Sequence, residues 1–178
     1  MWTAADHDVL DDIMSSSSAE LDSWLPGCRS AVADFDAYLD RVVRSADDGT
    51  GWYYGIEAAG LVVGQCTIHP NGDGTAEIGY WIRSDRANEG IATRAVRALC
   101  RAAADDGFAT LLIHCDEGNV RSAAVARKAG FTHLATVDLD PSLERTDAQT
   151  GREMTWRLAL ESRRRAAHPH RSRRTRLR

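Results

Sequence analysis

Residues 75–115 read TAEIGYWIRSDRANEGIATRAVRALCRAAADDGFATLLIHC, and the hydrophobic period changes twice within them. Over Thr75–Ile82 the period is two. Ala76, Ile78, Tyr80 and Ile82 share one face, and Thr75, Glu77, Gly79 and Trp81 share the other, which is a strand pattern. From Ile91 to Asp106 the spacing turns helical. Ala92, Ala95, Val96, Leu99 and Ala103 lie on one side, Arg94, Arg97 and Arg101 elsewhere, and Gly107 is a stop signal. Thr110–Cys115 is then continuously apolar and reads as a strand buried on both faces. A strand–helix–strand unit of this kind carries its crossover helix on one face, by the right-handed rule.

Upstream, Asn71-Gly72-Asp73-Gly74 is a strong turn signal that returns Thr75–Ile82 antiparallel to Leu61–His69. Leu61–His69 itself forms a hairpin with Trp52–Glu57, turning at Ala58–Gly60. Val32–Val43 is helical, and residues 4–24 read as one or two short acidic helices broken at Ser15–Ser18. Downstream, Asn119–Ala129 is a helix capped by Asn119 and Gly130. Phe131–Leu139 and Glu153–Leu160 are two further strands around a polar loop containing Pro141. The order predicts an α/β fold: a single mixed, mostly antiparallel twisted sheet with helices on both faces.

Composition sets the bounds. A chain of 178 residues, 43% hydrophobic and 27% charged, is one ordinary domain that can bury a core without metal or disulfide staples. Nothing approaches a membrane span, and four Asp with no Lys or Arg in Met1–Asp12 exclude the basic start of a signal peptide. Cys28, Cys66, Cys100 and Cys115 lack paired spacing, so free thiols in a reducing cytoplasm are expected rather than a zinc knuckle or disulfide framework. The net charge of −4 hides a block pattern. Residues 161–178 hold eight Arg against one Glu, while residues 1–160 hold fourteen basic against twenty-five acidic side chains. Residues 1–160 therefore read as the folded domain and 161–178 as a disordered Arg-rich tail, with ribosome or RNA docking as its functional reading.

Two constellations carry chemistry. The first is the loop from Arg86 through Asn88, Glu89 and Gly90 into Ile91, Ala92 and Thr93. A helix N-terminus there offers unpaired N–H groups and the positive end of a dipole to a phosphate, with Arg83 and Arg86 nearby; the bland alternative is a plain strand–helix connection. The second is Asn119-x-x-Ser122 followed by Lys128-x-Gly130-Phe131. Glu77 is a third point of interest, since a glutamate flanked by apolar residues on a central strand is a base, an edge-facing solvated group or half of a structural ion pair. Gly79 beside it leaves room for a ligand. His69 and His114 read as packing or capping residues, Cys115 as a core thiol, and Trp24 as either a cleft wall or a helix staple.

Taken in order, Ala76–Ile82, Gly90-Ile-Ala-Thr93-Arg-Ala and Asn119-x-x-Ser122…Lys128-x-Gly-Phe resemble the central strand, pyrophosphate loop and last helix of the GNAT acetyltransferases. Trp24-Leu25-Pro26 is similar to the segment leading into the second helix of their ribosomal-protein N-terminal (Rim-type) branch. The resemblance covers residues 2–160. It implies the GNAT fold and transfer of acetyl from acetyl-CoA, without a metal, to a primary amine, with a protein N-terminus as the favoured acceptor. It places acetyl-CoA between Thr75–Ile82 and Thr110–Cys115. The pantetheine would lie against Trp81, Ile82 and Arg83, with Asn119, Ser122 and Lys128 on the last helix, and the pyrophosphate on residues 86–93. Glu77 is implied as the base, Ser122 as the donor to the departing thiolate, and Trp24 and Gly79 as the acceptor side. Four departures stand out. Ala87 replaces the family's Gln/Arg, Asn88 a common Gly, and Ala126 a common Tyr; only Met1–Thr3 stand where the first strand belongs. Alternatives are an acetyltransferase of small amines or antibiotics, a non-catalytic acyl-CoA sensor, and a chiefly RNA-associated protein. The expected setting is a cytoplasmic monomer or homodimer, away from membranes.

Overall fold

The computed structural model describes residues 1–25, 31 and 33–160. Pro26, Cys28 and the Arg-rich segment 161–178 lie outside the described residues, and so does the expected disorder of that segment. Six strands form one sheet in the order β1-β2-β3-β4-β6-β5. They are β1 (Trp52–Ala58), β2 (Leu61–Pro70), β3 (Thr75–Ile82), β4 (Thr110–Asp116), β5 (Thr132–Asp138) and β6 (Arg152–Ala159). Every pairing is antiparallel except β3–β4.

The single parallel pair is what the strand–helix–strand pattern demands, since α4 (Ile91–Asp105) carries the chain back across one face. That face is closed by α4 and α5 (Val120–Ala129) over Ala76, Ile78, Leu111 and Ile113, with Val96, Leu99 and Phe131 among the buried residues. The opposite face carries α1 (His7–Ser15), α2 (Ser18–Trp24) and α3 (Phe35–Asp47). Its separate core contains Leu10, Ile13, Met14, Leu39 and Val42, with Trp81 of β3 packed against it. The helix expected to end at Val43 continues to Asp47 through Arg44, Ser45 and Ala46, which add no large apolar side chain to signal it.

Gln65 on β2 ties this second layer to the sheet. Its amide accepts from Trp2 Nε1 at 2.9 Å and donates to the Tyr38 hydroxyl at 3.1 Å, so a buried polar group is satisfied by two aromatic side chains. The residues in place of a first strand do little pairing. Trp2 N–H donates to Tyr53 O at 3.0 Å, and the Trp2 ring covers Gly55, where a Cβ would approach it to 2.9 Å.

Thr110–Cys115 departs from its expectation of burial on both faces. Leu111 and Ile113 are buried, while Leu112, His114 and Cys115 are only half-buried. A strand that lines an opening keeps the same apolar sequence as one sealed on both sides, which is why the sequence misleads here. Cys66 and Cys100 are buried free thiols, as expected.

Candidate active site

The β3–β4 ladder is short. Thr75, Ala76 and Glu77 pair with Thr110, Leu111 and Leu112, and the pairing stops there although both strands continue. Beyond Glu77 the two strands diverge and leave a V-shaped opening in the middle of the sheet. Alternation then sorts side chains onto its two sides. Tyr80 and Ile82 turn toward α4 and α5, whereas Glu77, Gly79 and Trp81 turn toward α1–α3.

Backbone direction alternates as well. Arg83 N–H donates to Val63 O at 2.8 Å and Gly79 N–H to Thr67 Oγ1 at 3.2 Å, both toward β2. The intervening Tyr80 and Ile82 therefore present their main-chain groups to the opening. Of the three residues Trp81–Arg83 expected to hold a pantetheine arm, Ile82 is the one with its backbone so placed. The Arg83 guanidinium is occupied by Asp85 at 3.0 Å, which raises its pKa, and lies 3.8 Å from Asp12.

One contact bridges the V. The Tyr80 hydroxyl lies 2.9 Å from Ser122 Oγ and 3.1 Å from Ser122 O. Ser122 is set in place by the helix start, because Asn119 Oδ1 accepts from Ser122 N–H at 3.0 Å as an N-cap. Burial raises the Tyr80 phenol well above its ordinary range, although the bond to Ser122 opposes this, so the hydroxyl keeps its proton. Cys115 also borders Ser122. Burial pushes its thiol up, which fits an inert group rather than a nucleophile.

The loop after β3 has the backbone of an anion cradle. Asn88 and Gly90 both adopt left-handed conformations, with φ of 67° and 74°. Asparagine tolerates this region better than most residues, which accounts for Asn88 where the family commonly has glycine. Gly90 caps α4 without a side chain, so the N–H groups of Ile91, Ala92 and Thr93 have no intrahelical acceptor and point out of the helix. Arg86 holds Glu89 in a fork at 2.7 and 2.8 Å, which turns the carboxylate's charge toward a partner inside the loop. The Arg94 guanidinium donates to Glu89 O at 3.1 Å. Small residues, free N–H groups and a left-handed turn fit a pyrophosphate.

The family model described as an acetyltransferase (GNAT) domain matches residues 1–132. The chain belongs to the GNAT acetyltransferase family. No curated protein matches it. Among solved structures, this acetyltransferase is similar in fold to RimL, the ribosomal L7/L12 alpha-N-protein acetyltransferase, in complex with coenzyme A. Identity is 18%, coverage 90% of this chain and 92% of RimL, and the TM-score 0.81. It is also similar to Mycobacterium smegmatis RimJ in complex with CoA-disulfide, at 22% identity, 89% and 79% coverage and a TM-score of 0.76. A third is the microcin C7 self immunity acetyltransferase MccE in complex with acetyl-CoA and AMP, at 16% identity, 89% coverage of both chains and a TM-score of 0.78.

Within this GNAT enzyme the expected residues separate into groups. Glu77 and Gly79 lie on the α1–α3 side of the opening, Ser122 and Asn119 on the α5 side, and residues 86–93 at the helix start. Trp24 closes α2 next to Ser23, whose carbonyl accepts from Thr146 Oγ1 at 2.6 Å, so the β5–β6 loop meets this helix end. Lys128 is not drawn in. It is exposed in the last turn of α5, and its carbonyl accepts from Arg97. Sequence reasoning passed over Tyr80, whose partner lies 42 residues away. It also gave only packing or capping roles to His114, which is bound to Glu153 of β6. Asp116 was missed too. Burial pushes its carboxyl up, but bonds from Thr150 and Gly118 outweigh this and hold it below its ordinary range, fastening both loops at the mouth. Among the described residues no cluster suited to a metal is present, and no helix is long and apolar enough to cross a membrane.

Proposed function

We propose that this protein transfers the acetyl group of acetyl-CoA to a primary amine by direct attack in a ternary complex, with a protein N-terminal α-amine as acceptor. The observation that carries the reading is the divergence of β3 and β4 after Glu77, with Tyr80 and Glu77 sorted to opposite sides by strand alternation. Acetyl-CoA supplies an acyl group activated as a thioester. The protein's part is to hold and polarise it. N–H groups of residues 88–93 bind the pyrophosphate, and the main chain at Ile82 with Asn119 on α5 steadies the pantetheine. Tyr80 N–H faces the opening where the carbonyl oxygen gathers charge. Ser122, backed by the Tyr80 hydroxyl, donates to the sulfur as it leaves. From the opposite side Glu77 presents a carboxylate to the incoming ammonium group and lowers the cost of holding it there.

The acceptor follows from acid–base arithmetic. An α-amine with pKa near 8 is about 10% neutral at pH 7, whereas a lysine near 10.4 is almost wholly charged. A site of modest basicity suits the former. The likeness to RimL, an alpha-N-protein acetyltransferase, supports the same acceptor class, and a reaction that draws on acetyl-CoA fits a cytoplasmic setting. Incubating the protein with cell extract and isotope-labelled acetyl-CoA, followed by mass spectrometry, tests this. Label on protein N-termini supports the reading; label confined to small amines moves the acceptor class.

A further inference from the structure

This inference deepens the proposed acetyl transfer and rests on it. His114 is two residues past Leu112, the last residue of β4 that pairs with β3. Leu112 stands opposite Glu77, and alternation puts His114 on the same face, just beyond the point where the strands part. It is thus the next side chain of β4 along the amine side of the opening. Two residues of β6 support it. Nδ1 lies 3.2 Å from Glu153 Oε1 and 3.4 Å from Oγ1 of Thr155, its register partner. Among the described residues Nε2 has no hydrogen-bond partner. The side chains of His114 and Glu153 are 27% and 33% exposed, so the pair is held in place yet open to an arriving group. Charged groups on this face include Glu77 on β3, Asp116 on β4 and Arg157 on β6, with His69 of β2 beside Glu77, and Arg83 beyond β3 lies 3.8 Å from Asp12 of α1.

A carboxylate on Nδ1 fixes the ring proton there and leaves the Nε2 lone pair as an acceptor. A typical imidazole takes a proton from an α-ammonium group against a deficit of about 1.5 pH units, roughly 30-fold. A typical carboxylate faces nearly 4 units, several thousand-fold. For the proposed acceptor class, the imidazole is the better matched base.

We propose that His114 Nε2 takes the proton of the acceptor amine, with Glu153 as its positioning residue. The ammonium nitrogen held beside Glu77 gives one proton to Nε2, and the imidazolium, facing Glu153, returns it to solvent. As the neutral amine then bonds to the acyl carbon, the carbon–sulfur bond breaks and the nitrogen's second proton reaches the sulfur by way of Ser122. Glu77 remains the anion that steadies the ammonium form.

The test measures kcat/KM from pH 6 to 10 for the wild-type protein, His114→Gln and Glu153→Gln, using free-amine peptides and acetyl-CoA. Coenzyme A affinity by calorimetry and thermal melting serve as fold controls. The wild-type rate should fall on the acid side of the profile as the base takes up a proton. His114→Gln should lose about 10²–10⁴-fold in rate together with that pH dependence, at unchanged coenzyme A affinity. Glu153→Gln should lose about 10-fold in kcat and change the shape of the pH profile at unchanged coenzyme A affinity; a merely structural role would leave the profile as it is. Transfer by the wild type with an unchanged rate and profile in His114→Gln overturns the His114 assignment alone. Coenzyme A binding without transfer to any peptide or small amine overturns the acetyl-transfer reading and this inference together.

Discussion

Replacing Tyr80 with phenylalanine removes one hydroxyl and separates two functions of the bridge across the opening. That hydroxyl sits 2.9 Å from Ser122 Oγ and 3.1 Å from Ser122 O, and it has one proton to give. If it donates to Oγ, the serine proton is free to point at the sulfur. If it donates to the carbonyl, the serine proton turns back to the phenol. Losing the phenol therefore leaves Ser122 able to donate but poorly oriented. For stability the cost is about 1 kcal/mol for a half-buried hydrogen bond, or roughly 2–4 °C in Tm for a domain of this size. For chemistry, misorientation of the donor should slow single-turnover acetyl transfer by about 10-fold in Tyr80→Phe, and its removal by about 10–100-fold in Ser122→Ala. Because the two act as one unit, the double variant should be no slower than Ser122→Ala. The resulting coupling is near the ~1.4 kcal/mol of a tenfold rate factor. Multiplicative losses in the double variant would show that Tyr80 does not act through Ser122, and parent-like rates in both single variants would remove the bridge from the reaction.

Glu77→Gln should lower acceptor kcat/KM by about 10²-fold while leaving coenzyme A affinity unchanged; equal rates from pH 6 to 9 would take Glu77 out of the site. Gly90→Ala forces a side chain into a φ of 74°, a strain of roughly 1–2 kcal/mol, and calorimetry should show coenzyme A bound about tenfold more weakly. The first 48 residues hold eleven acidic side chains against three Arg. kcat/KM for a basic peptide should thus fall between about 20 and 300 mM salt, as the Debye length shrinks from roughly 20 to 6 Å, more than for an acidic one. Removing residues 161–178 should preserve turnover on short peptides and abolish salt-sensitive RNA binding; absence of RNA binding by the full chain at low salt would end the docking reading.

Local signals carried much of the fold. Thr75–Ile82 has the bounds its period of two predicts, and Asn119 and Gly130 cap α5 as their types require. Long-range register was beyond reach. Nothing near Glu77 in the chain says that pairing with β4 ends there, or that β6 inserts between β4 and β5. The candidate site divides the same way. Glu77, Ser122 and the Gly90 loop stand out in the sequence because each sits in a short pattern with a physical meaning. Tyr80 and His114 do not, since the first meets Ser122 42 residues away and the second a carboxylate 39 residues away.

Transfer of acetyl from acetyl-CoA to an N-terminal amine is the central claim, and tandem mass spectrometry of one peptide tests it most directly. The peptide carries a free α-amine at its first residue and an internal lysine, and is incubated with the protein and deuterated acetyl-CoA near pH 8. A single deuterated acetyl group on the first residue, with the lysine unmodified, is the predicted result. Exclusive modification of the lysine, or coenzyme A binding with no acetylated peptide or small amine, would contradict the account.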